Sequence, residues 1–170
     1  MTKSVELIEH EFSLPATDGL TVTVGAPAGW HTQLTSEPDS FLANLDGEEA
    51  GPFGDNLIVT VERLTEEAPT DLEELQGLFL IQAHDATPDL HVIDDREIEV
   101  AGDRGWFRAS LQTAPAPTEM TVVSRQIFTV REGFVVSLVL TSMSFRDSLA
   151  SAQFRAIVDS VQIRVPEEDR

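Results

Sequence analysis

The sequence predicts an α+β fold, in which a mostly antiparallel sheet has helices packed on it. Three strand-like segments precede a helix, and four strand-like segments and a second helix follow. Hairpin-length connections dominate the second half, and short connections join antiparallel neighbours, whereas parallel neighbours need long crossovers. The longest hairpin, residues 119–143, is apolar on both faces, which is typical of central strands covered on both sides. We therefore expect one domain over residues 1–170.

The N-terminal half contains three predicted strands and one irregular acidic region. The strands are residues 5–14, which are short and mixed, residues 20–25, which alternate apolar and polar positions, and residues 56–64, with the sequence NLIVTVERL. Residues 37–54 combine Gly, Pro and acidic side chains, so we expect mostly an acidic loop there. Within that loop, one helical turn or a brief edge strand would hold the apolar residues Phe41, Leu42 and Leu45.

The clearest predicted helix begins at Thr70. Thr70 and Glu73 match a capping box, and acidic residues in the first turn are favourable at the positive end of the helix dipole. An apolar stripe at helical spacing continues from there, made of Leu72, Leu75, Leu78 and Phe79, with the polar Gln82 at its end. The helix is expected to end near His84, before Pro88.

The second half is predicted as two hairpins and a C-terminal helix. The first hairpin joins residues 91–101 to 106–112, and the second joins its strands through a three-residue loop at 131–133. That loop would place Val130 opposite Phe134, and Ile127 on the other face from Leu138. The predicted helix has Phe154, Ile157, Val158 and Val161 on one side. A short strand at 160–165 and a frayed tail at 166–170 complete the chain.

Net charge is −19 and is unevenly spread along the chain. Residues 1–90 carry 18 acidic side chains against two basic ones, a net charge of −16, whereas residues 91–170 have a net charge of −3. Such a surface repels phosphate backbones, which disfavours nucleic-acid binding, and it attracts a basic partner or cations. Solubility alone is the alternative explanation of the acidity.

Four further features bear on the chemistry, the location and the source of the protein. The absence of Cys excludes disulfides, thiolate metal sites and cysteine nucleophiles. Residues 5–11 are too charged for a signal-peptide core, and no apolar run approaches the roughly 20 residues that span a bilayer. If Met1 is the natural start, we expect a cytoplasmic protein without a membrane span. The use of ten Arg to one Lys indicates a GC-rich bacterium.

A group of His and Asp residues surrounds the end of the first predicted helix. It comprises His84, Asp85, Asp89, His91, Asp94 and Asp95. Such side chains suit zinc or calcium, although their spacing matches neither H-E-x-x-H nor the calcium loop of EF-hands. A small-ligand or metal-binding domain near His84 and His91 is therefore an alternative hypothesis.

Catalytic motifs are missing from the sequence. There is no G-x-S-x-G and no S-x-x-K, and Ser110, Ser124 and Ser137 fall in predicted strands. The glycines of residues 47–54 have no G-K-[ST] after them, so a phosphate-binding loop is not indicated. We predict no enzyme, no catalytic residue and no cofactor. An enzyme of unrecognised type is the remaining alternative.

Large aromatic residues outside the predicted core strands and helices are candidates for partner binding. Trp30, Phe53 and Trp106 lie beside Gly or Pro, and aromatic residues in such loops often anchor a partner, although plugging the end of the core is the structural alternative. With Glu48 and Glu49 they would form a site for a basic or amphipathic protein or peptide. A homodimer is a further hypothesis, since a sheet edge must be covered or paired.

Six segments carry a resemblance to a known fold group. They are EFSLP, the Pro-x-Gly-Trp step at 27–30, NLIVTVERL, AGDRGW, RQIFTVREGFVVSLVLTS and FRAIVDSVQI. Together they resemble the Mog1/PsbP-like group, which includes bacterial domains of unknown function related to DcrB and LpqN. The resemblance implies an α/β/α sandwich with an antiparallel sheet. Binding without a common catalytic centre is what its members share, so it also implies a non-catalytic binding or chaperone-like role.

Overall fold

The structure, a computed structural model, describes residues 4–15, 17–36 and 39–167. These residues form two antiparallel sheets, two α-helices and two short 3-10 turns, Glu48–Ala50 and Ser144–Arg146. The strands are β1 (Leu7–Phe12), β2 (Thr21–Pro27), β3 (His31–Thr35), β4 (Ser40–Asn44), β5 (Asn56–Arg63), β6 (His91–Val100), β7 (Asp103–Thr113), β8 (Thr121–Arg131), β9 (Phe134–Met143) and β10 (Gln162–Arg164). The helices are α1 (Leu72–Ala86) and α2 (Asp147–Ser160).

The larger sheet has seven strands in the order β3-β4-β5-β9-β8-β7-β6, and the smaller sheet has the order β1-β2-β10. Every strand pairing among the described residues is antiparallel. The hairpin β8–β9 lies in the middle of the larger sheet, as its apolar faces predict. The predicted α+β fold with a mostly antiparallel sheet is therefore confirmed.

The two faces of the seven-stranded sheet are covered differently. Helix α2 and the three-stranded sheet pack on one face, which we call the α2 face, and Leu138, Phe154 and Val24 belong to the large core there. Helix α1 packs on the opposite face, the α1 face, over a small core of Leu72, Leu75, Phe128 and Val135. The result is the α/β/α layering that the resemblance implies.

The register of the central hairpin differs from the prediction by one residue. Arg131 pairs with Phe134, so the turn contains only Glu132 and Gly133, with φ of 49° and 77°. Two consecutive positive φ values are those of a type I′ turn, whose twist matches that of the strands. The shift places Ile127 opposite Leu138 on the α2 face, because a slip of one residue moves every side chain of a strand to the other face.

The beginning of α1 also differs from the prediction. Asp71, not Thr70, is the N-cap, and its Oδ1 accepts hydrogen bonds from the backbone N–H groups of Glu73 (3.0 Å) and Glu74 (3.1 Å). A carboxylate at this position satisfies two free donors and also favours the positive end of the helix dipole. The helix ends at Ala86, within two residues of the predicted end.

Part of the predicted acidic loop is a strand inside the sheet. Residues 40–44 form β4, which pairs with both β3 and β5, so β4 is not at an edge. Phe41 is buried and its ring stacks on Phe12, with centroids 4.8 Å apart. Contacts distant in sequence therefore stabilise this strand, and a local pattern does not show them. Residues 37 and 38 of the loop, and residues 168–170 of the predicted tail, lie outside the described residues.

Both edges of the seven-stranded sheet have features that disfavour pairing with another chain. Strand β3 is only five residues long, and β6 is interrupted by a bulge between Val92 and Asp94. Asp94, Asp95, Arg96 and Glu97 place consecutive charges along β6. Short, bulged and charged strands are common means of protecting an edge. The homodimer stays a prediction.

Candidate binding surfaces

Helix α1 is fixed to the sheet near β7 by a buried arginine. The side chain of Arg108 is only 5% exposed, and its Nη2 donates to the backbone oxygen of Gln76 (3.2 Å) and to the Oε1 of that residue (2.7 Å). Its Nε donates to Asp95 Oδ1 at 3.2 Å. Because these bonds link the middle of α1 to β7 and β6, the helix lies toward that side of the α1 face.

Trp106 belongs to the same network. Its Nε1 donates to Asp95 Oδ1 at 2.6 Å, and its ring packs against the small core. Trp106 is therefore held by packing and by a hydrogen bond, which is the usual arrangement of a half-buried Trp.

The α1 face has an open groove on the other side of α1, which we call the helix groove. It lies between α1 and strands β5, β8 and β9 and has a volume of about 330 Å³. Its lining combines apolar and uncharged polar groups with one carboxylate: Thr60, Glu62, Phe79, Gln82, Ala83, Gln126, Val135 and Ser137. Phe79 forms the apolar wall on the helix side, and its ring meets Phe128 edge-on, with centroids 4.9 Å apart.

Exposed apolar side chains continue the groove outward. Leu78 of α1, one turn before Gln82, is 37% exposed beside the groove, whereas Ile81 is 62% exposed on the side of α1 opposite Phe79. Ile58 of β5 is 37% exposed on the same face of the sheet. Scattered exposed apolar residues need no explanation, but contiguous ones beside a groove are typical of binding surfaces.

The surroundings of the helix groove are strongly acidic. Residues 64–95, which include all of α1, contain nine Asp and Glu residues and no Lys or Arg. Glu62, Glu73, Glu74 and Asp85 are exposed around the groove and the helix. Charges of one sign along a cleft focus a negative potential, which attracts cationic groups.

The aromatic residues predicted to bind a partner occupy separate environments. Trp30 is half-buried and packs against the large core, whereas Trp106 packs against the small core on the α1 face. Phe53 lies in the connection between β4 and β5, in the same segment as the exposed Glu48 and Glu49. The structure therefore brings Phe53, Glu48 and Glu49 into one segment and places the two Trp residues elsewhere. Their role in partner binding stays a prediction.

Arg146 clamps the segment that carries Phe53, Glu48 and Glu49. Its guanidinium donates to the backbone oxygens of Glu49 (2.9 Å), Ala50 (3.0 Å) and Phe53 (2.9 Å), and it pairs with Asp55 at 2.8 Å. Burial raises the pKa of the Asp55 carboxyl, and the nearby Arg146 charge opposes that rise. The backbone of this acidic segment is thus held in place, while both Glu side chains stay in solvent.

The His residues of the alternative metal site are both exposed. In residues 4–15, 17–36 and 39–167, no three His, Asp or Glu side chains are grouped so that they could hold a metal ion. Asp89 instead accepts a hydrogen bond from the backbone N–H of Thr113 at 2.9 Å, and the hydrogen bonds from Thr113 lower the pKa of its carboxyl. A metal site near His84 and His91 therefore has no geometric support in the described structure.

Sequence reasoning missed the groove and its supporting residues. The contact between Arg108 and Asp95 gave no signal in the sequence, because it depends on the pairing of β6 with β7. Two signals were available, however. Apolar residues at 78, 80 and 81 extend beyond the stripe that one buried face needs, and residues 64–95 lack any basic side chain.

No helix in the described part of the chain combines the length and the apolar character that crossing a membrane requires.

Comparisons with known proteins connect the fold to solved structures but not to a sequence family. No family model matches the chain, and no curated protein is significantly similar to it in sequence. Mycobacterium tuberculosis LpqN, a protein involved in cell envelope biogenesis, superposes with a TM-score of 0.65 at 11% identity, over 94% of this chain and 92% of that one.

Two other structures from distant organisms give similar results. The cyanobacterial PsbP of Synechocystis sp. PCC 6803 has a TM-score of 0.61 at 13% identity, over 92% of each chain. The Saccharomyces cerevisiae Ran-binding protein Mog1p has a TM-score of 0.58 at 11% identity, over 92% of this chain and 96% of that one. Identities this low show the fold alone. They confirm that the chain has the Mog1/PsbP-like fold.

Proposed function

We propose that this protein is a non-catalytic binding protein that holds a basic, amphipathic segment of another polypeptide in the helix groove. The observation that carries the proposal is the combination, on one face, of exposed apolar side chains with an acidic surround that contains no Lys or Arg from residue 64 to residue 95. Apolar residues of the partner would contact Phe79 and Leu78. Its cationic residues would be attracted to Glu73, Glu74 and Glu62.

The size and shape of the surface also suit a peptide segment. Helix α1 has 15 residues and is therefore about 22 Å long, which is the length of an amphipathic helix lying alongside it. An amphipathic helix in an apolar groove is a recurring mode of peptide recognition. Among proteins of this fold, Mog1p binds a protein, Ran, which supports protein binding as a use of the scaffold.

The test uses the whole chain and a fluorescently labelled synthetic peptide of about 15 residues, matched to the length of α1. The peptide has Leu on one helical face and Lys on the other. One control peptide replaces every Lys by Glu, and a second replaces every Leu by Ser. We expect only the parent peptide to bind in fluorescence anisotropy, with an affinity that falls as salt is added. Equal binding of all three peptides, or no binding of the parent, would contradict the proposal.

Matched variants locate the site. Glu73 and Glu74 lie exposed in the first turn of α1, and Glu48 and Glu49 lie exposed in the first turn of a 3-10 helix. The double variant Glu73→Gln/Glu74→Gln should weaken peptide binding roughly two- to fivefold, as expected for rim charges. The double variant Glu48→Gln/Glu49→Gln should not. The reverse result would place the peptide at the segment of Phe53, Glu48 and Glu49, and would contradict binding in the helix groove.

A pair of apolar variants repeats the test without changing charge. Leu78 and Ile81 are both exposed on α1, at 37% and 62%. Leu78→Asn should weaken binding of the parent peptide, and Ile81→Asn should leave it unchanged, because Ile81 lies on the side of α1 opposite Phe79 and the groove. The cytoplasmic location and the absence of catalysis stay predictions that this experiment does not address.

A further inference from the structure

Part of the α1 face has no described element packed on it. Strand register places ten side chains of β4, β5, β9 and β8 there, and we call them the open face: Leu42, Asn44, Asn56, Ile58, Thr60, Ser124, Gln126, Ser137, Val139 and Thr141. All ten are at least partly exposed. Leu57, Val59 and Leu138, which point from the same strands to the α2 face, are fully buried. The open face is therefore an uncovered sheet surface.

The open face contains no Asp, Glu, Lys or Arg, although these four types make up 24% of the chain. Its middle row is apolar across three strands, because Ile58 pairs with Leu42 on one side and with Val139 on the other. The other seven side chains are Asn, Gln, Ser and Thr. Edge strand β3 extends the face with His31 and Gln33. An uncharged surface does not select a basic partner, in contrast to the acidic surround of the helix groove.

The side chains of the open face can pair with copies of themselves. Amide and hydroxyl groups both donate and accept hydrogen bonds, whereas a carboxylate only accepts and a guanidinium or ammonium only donates. A twofold interface brings the same patch of two subunits together, so it requires apolar groups or groups that do both. Acidic surfaces of two copies repel each other, and the net charge is −19. We propose that two copies of this chain associate face to face through the open face.

The shape of the α1 face is compatible with this contact. Helix α1 packs on β7 and β8 and stands about 10–12 Å high beside the open face, and two sheets pack about 10 Å apart. A twofold axis that runs parallel to the strands, between β4 and β5, would place α1 of each copy beyond edge strand β3 of the other. The two helices would then flank the stacked sheets and would not block them.

The size of the open face predicts a weak dimer. The spacing of strands and of alternate residues gives each side chain about 30 Å² of sheet surface, so ten side chains provide roughly 300 Å² per copy. Specific interfaces of standard size bury about 800 Å² per partner, and smaller ones are transient. We therefore expect association only at high protein concentration.

Sedimentation equilibrium of the whole chain at about 10 μM and about 1 mM tests the proposal. The average mass should rise with concentration from 18.7 kDa toward twice that value. It should rise further when NaCl is raised from about 0.05 M to about 0.5 M, because salt screens the repulsion between the acidic copies. A mass of 18.7 kDa under all four conditions, or association that salt weakens, would overturn the proposal.

The outcome does not depend on the peptide proposal. No peptide is present, and salt acts in the opposite direction, since it weakens the attraction of a cationic peptide. The open face shares Thr60, Gln126 and Ser137 with the helix groove, so the dimer and a bound peptide would exclude each other.

Two matched pairs of variants locate the contact. Ile58→Asp should weaken self-association about tenfold or more, because it buries a carboxylate between the copies, and Ile8→Asp, at an exposed position of β1 in the smaller sheet, should leave it unchanged. Asn44→Asp keeps the size of the side chain but removes its donors, so it should also weaken self-association. Its control Gln162→Glu, exposed on β10, should not.

The second pair keeps the test decisive if Ile58→Asp does not fold. Self-association that is unchanged in Asn44→Asp, or that the two control variants weaken equally, would contradict the open face as the interface.

Discussion

The two faces of the seven-stranded sheet show how one scaffold separates stability from recognition. The α2 face is covered by a helix and a second sheet, and its core extends from Phe12 to Ile163. The α1 face is covered by one helix, and its core contains only Leu72, Leu75, Phe128 and Val135. Burial of apolar area is the main favourable term in folding, so the α2 face should dominate stability. The α1 face keeps apolar groups exposed, which leaves them available to a partner.

Charge follows the same division. Helix α1 lies within a stretch of chain without Lys or Arg, whereas a cavity between α2 and strands β6, β7 and β8, which we call the arginine cavity, is lined by Arg96, Arg125 and Arg155.

The largest effect is expected for Leu138→Asp. Leu138 is fully buried in the middle of β9 on the α2 face, so an ionised carboxylate there would have neither solvent nor a partner. We expect loss of the cooperative thermal transition and of near-UV circular dichroism. Leu78→Asp, on the partly exposed side of α1, is the matched control and should fold. A soluble Leu138→Asp variant with a cooperative transition would show that the central strands do not determine stability.

Substitution of one phenylalanine on each face compares how much the two faces contribute to stability. Phe154→Ala on α2 should cost about 4 kcal/mol of unfolding free energy, because Phe154 is 4% exposed and lies in the large core. Phe79→Ala on α1 should cost about 1–2 kcal/mol, because Phe79 is only partly buried and loses mainly its edge contact with Phe128. Urea denaturation measures both values. Equal costs would remove the contrast between the faces.

Arg146→Met should lower the free energy of unfolding by about 3 kcal/mol. The substitution leaves the carboxylate of Asp55 buried without its partner and removes the donors to three backbone oxygens. The cost should depend on pH. Burial already raises the folded-state pKa of Asp55, and loss of the Arg146 charge raises that pKa further. A raised folded pKa means that stability is present at low pH and is lost as pH rises through that pKa.

The unfolding free energies of wild type and Arg146→Met should therefore differ most near pH 7 and converge as the pH falls toward 4. Urea denaturation at three pH values checks this expectation. Arg164→Met, at an exposed pair with Glu11, is the control and should show a small difference at every pH. A difference between wild type and Arg146→Met that does not change with pH would exclude Asp55 as the cause.

The smallest effect on stability is expected for Ile81→Asn, which should change the unfolding free energy by less than about 0.5 kcal/mol, as is usual for exposed positions. The same variant should leave binding of the basic amphipathic peptide unchanged, because Ile81 faces away from the helix groove. A large loss of stability would show that Ile81 supports the fold, and the exposed surface of α1 would then have a structural explanation.

The local sequence pattern was sufficient to predict the elements whose determinants lie close together in the sequence. Hairpin 119–143, strand 56–64 and both helices follow from alternation, helical spacing and punctuation by Gly and Pro. Strand β4 did not follow, because its stability depends on β3 and β5 on either side and on the contact of Phe41 with Phe12. The register at Glu132 and Gly133 also required the structure, since two loop lengths were compatible with the same residues.

The sequence by itself determined the fold class, the central hairpin, the acidity of the N-terminal half and the absence of cysteine chemistry, because composition and periodicity are local properties. Tertiary structure alone decided which groups meet. Arg108 reaches α1 from 32 residues away, and Arg146 reaches Glu49 from 97 residues away. The helix groove and the arginine cavity each combine side chains from a helix and from three strands of one sheet. Strand order and register bring these side chains together, and neither is visible in the linear pattern.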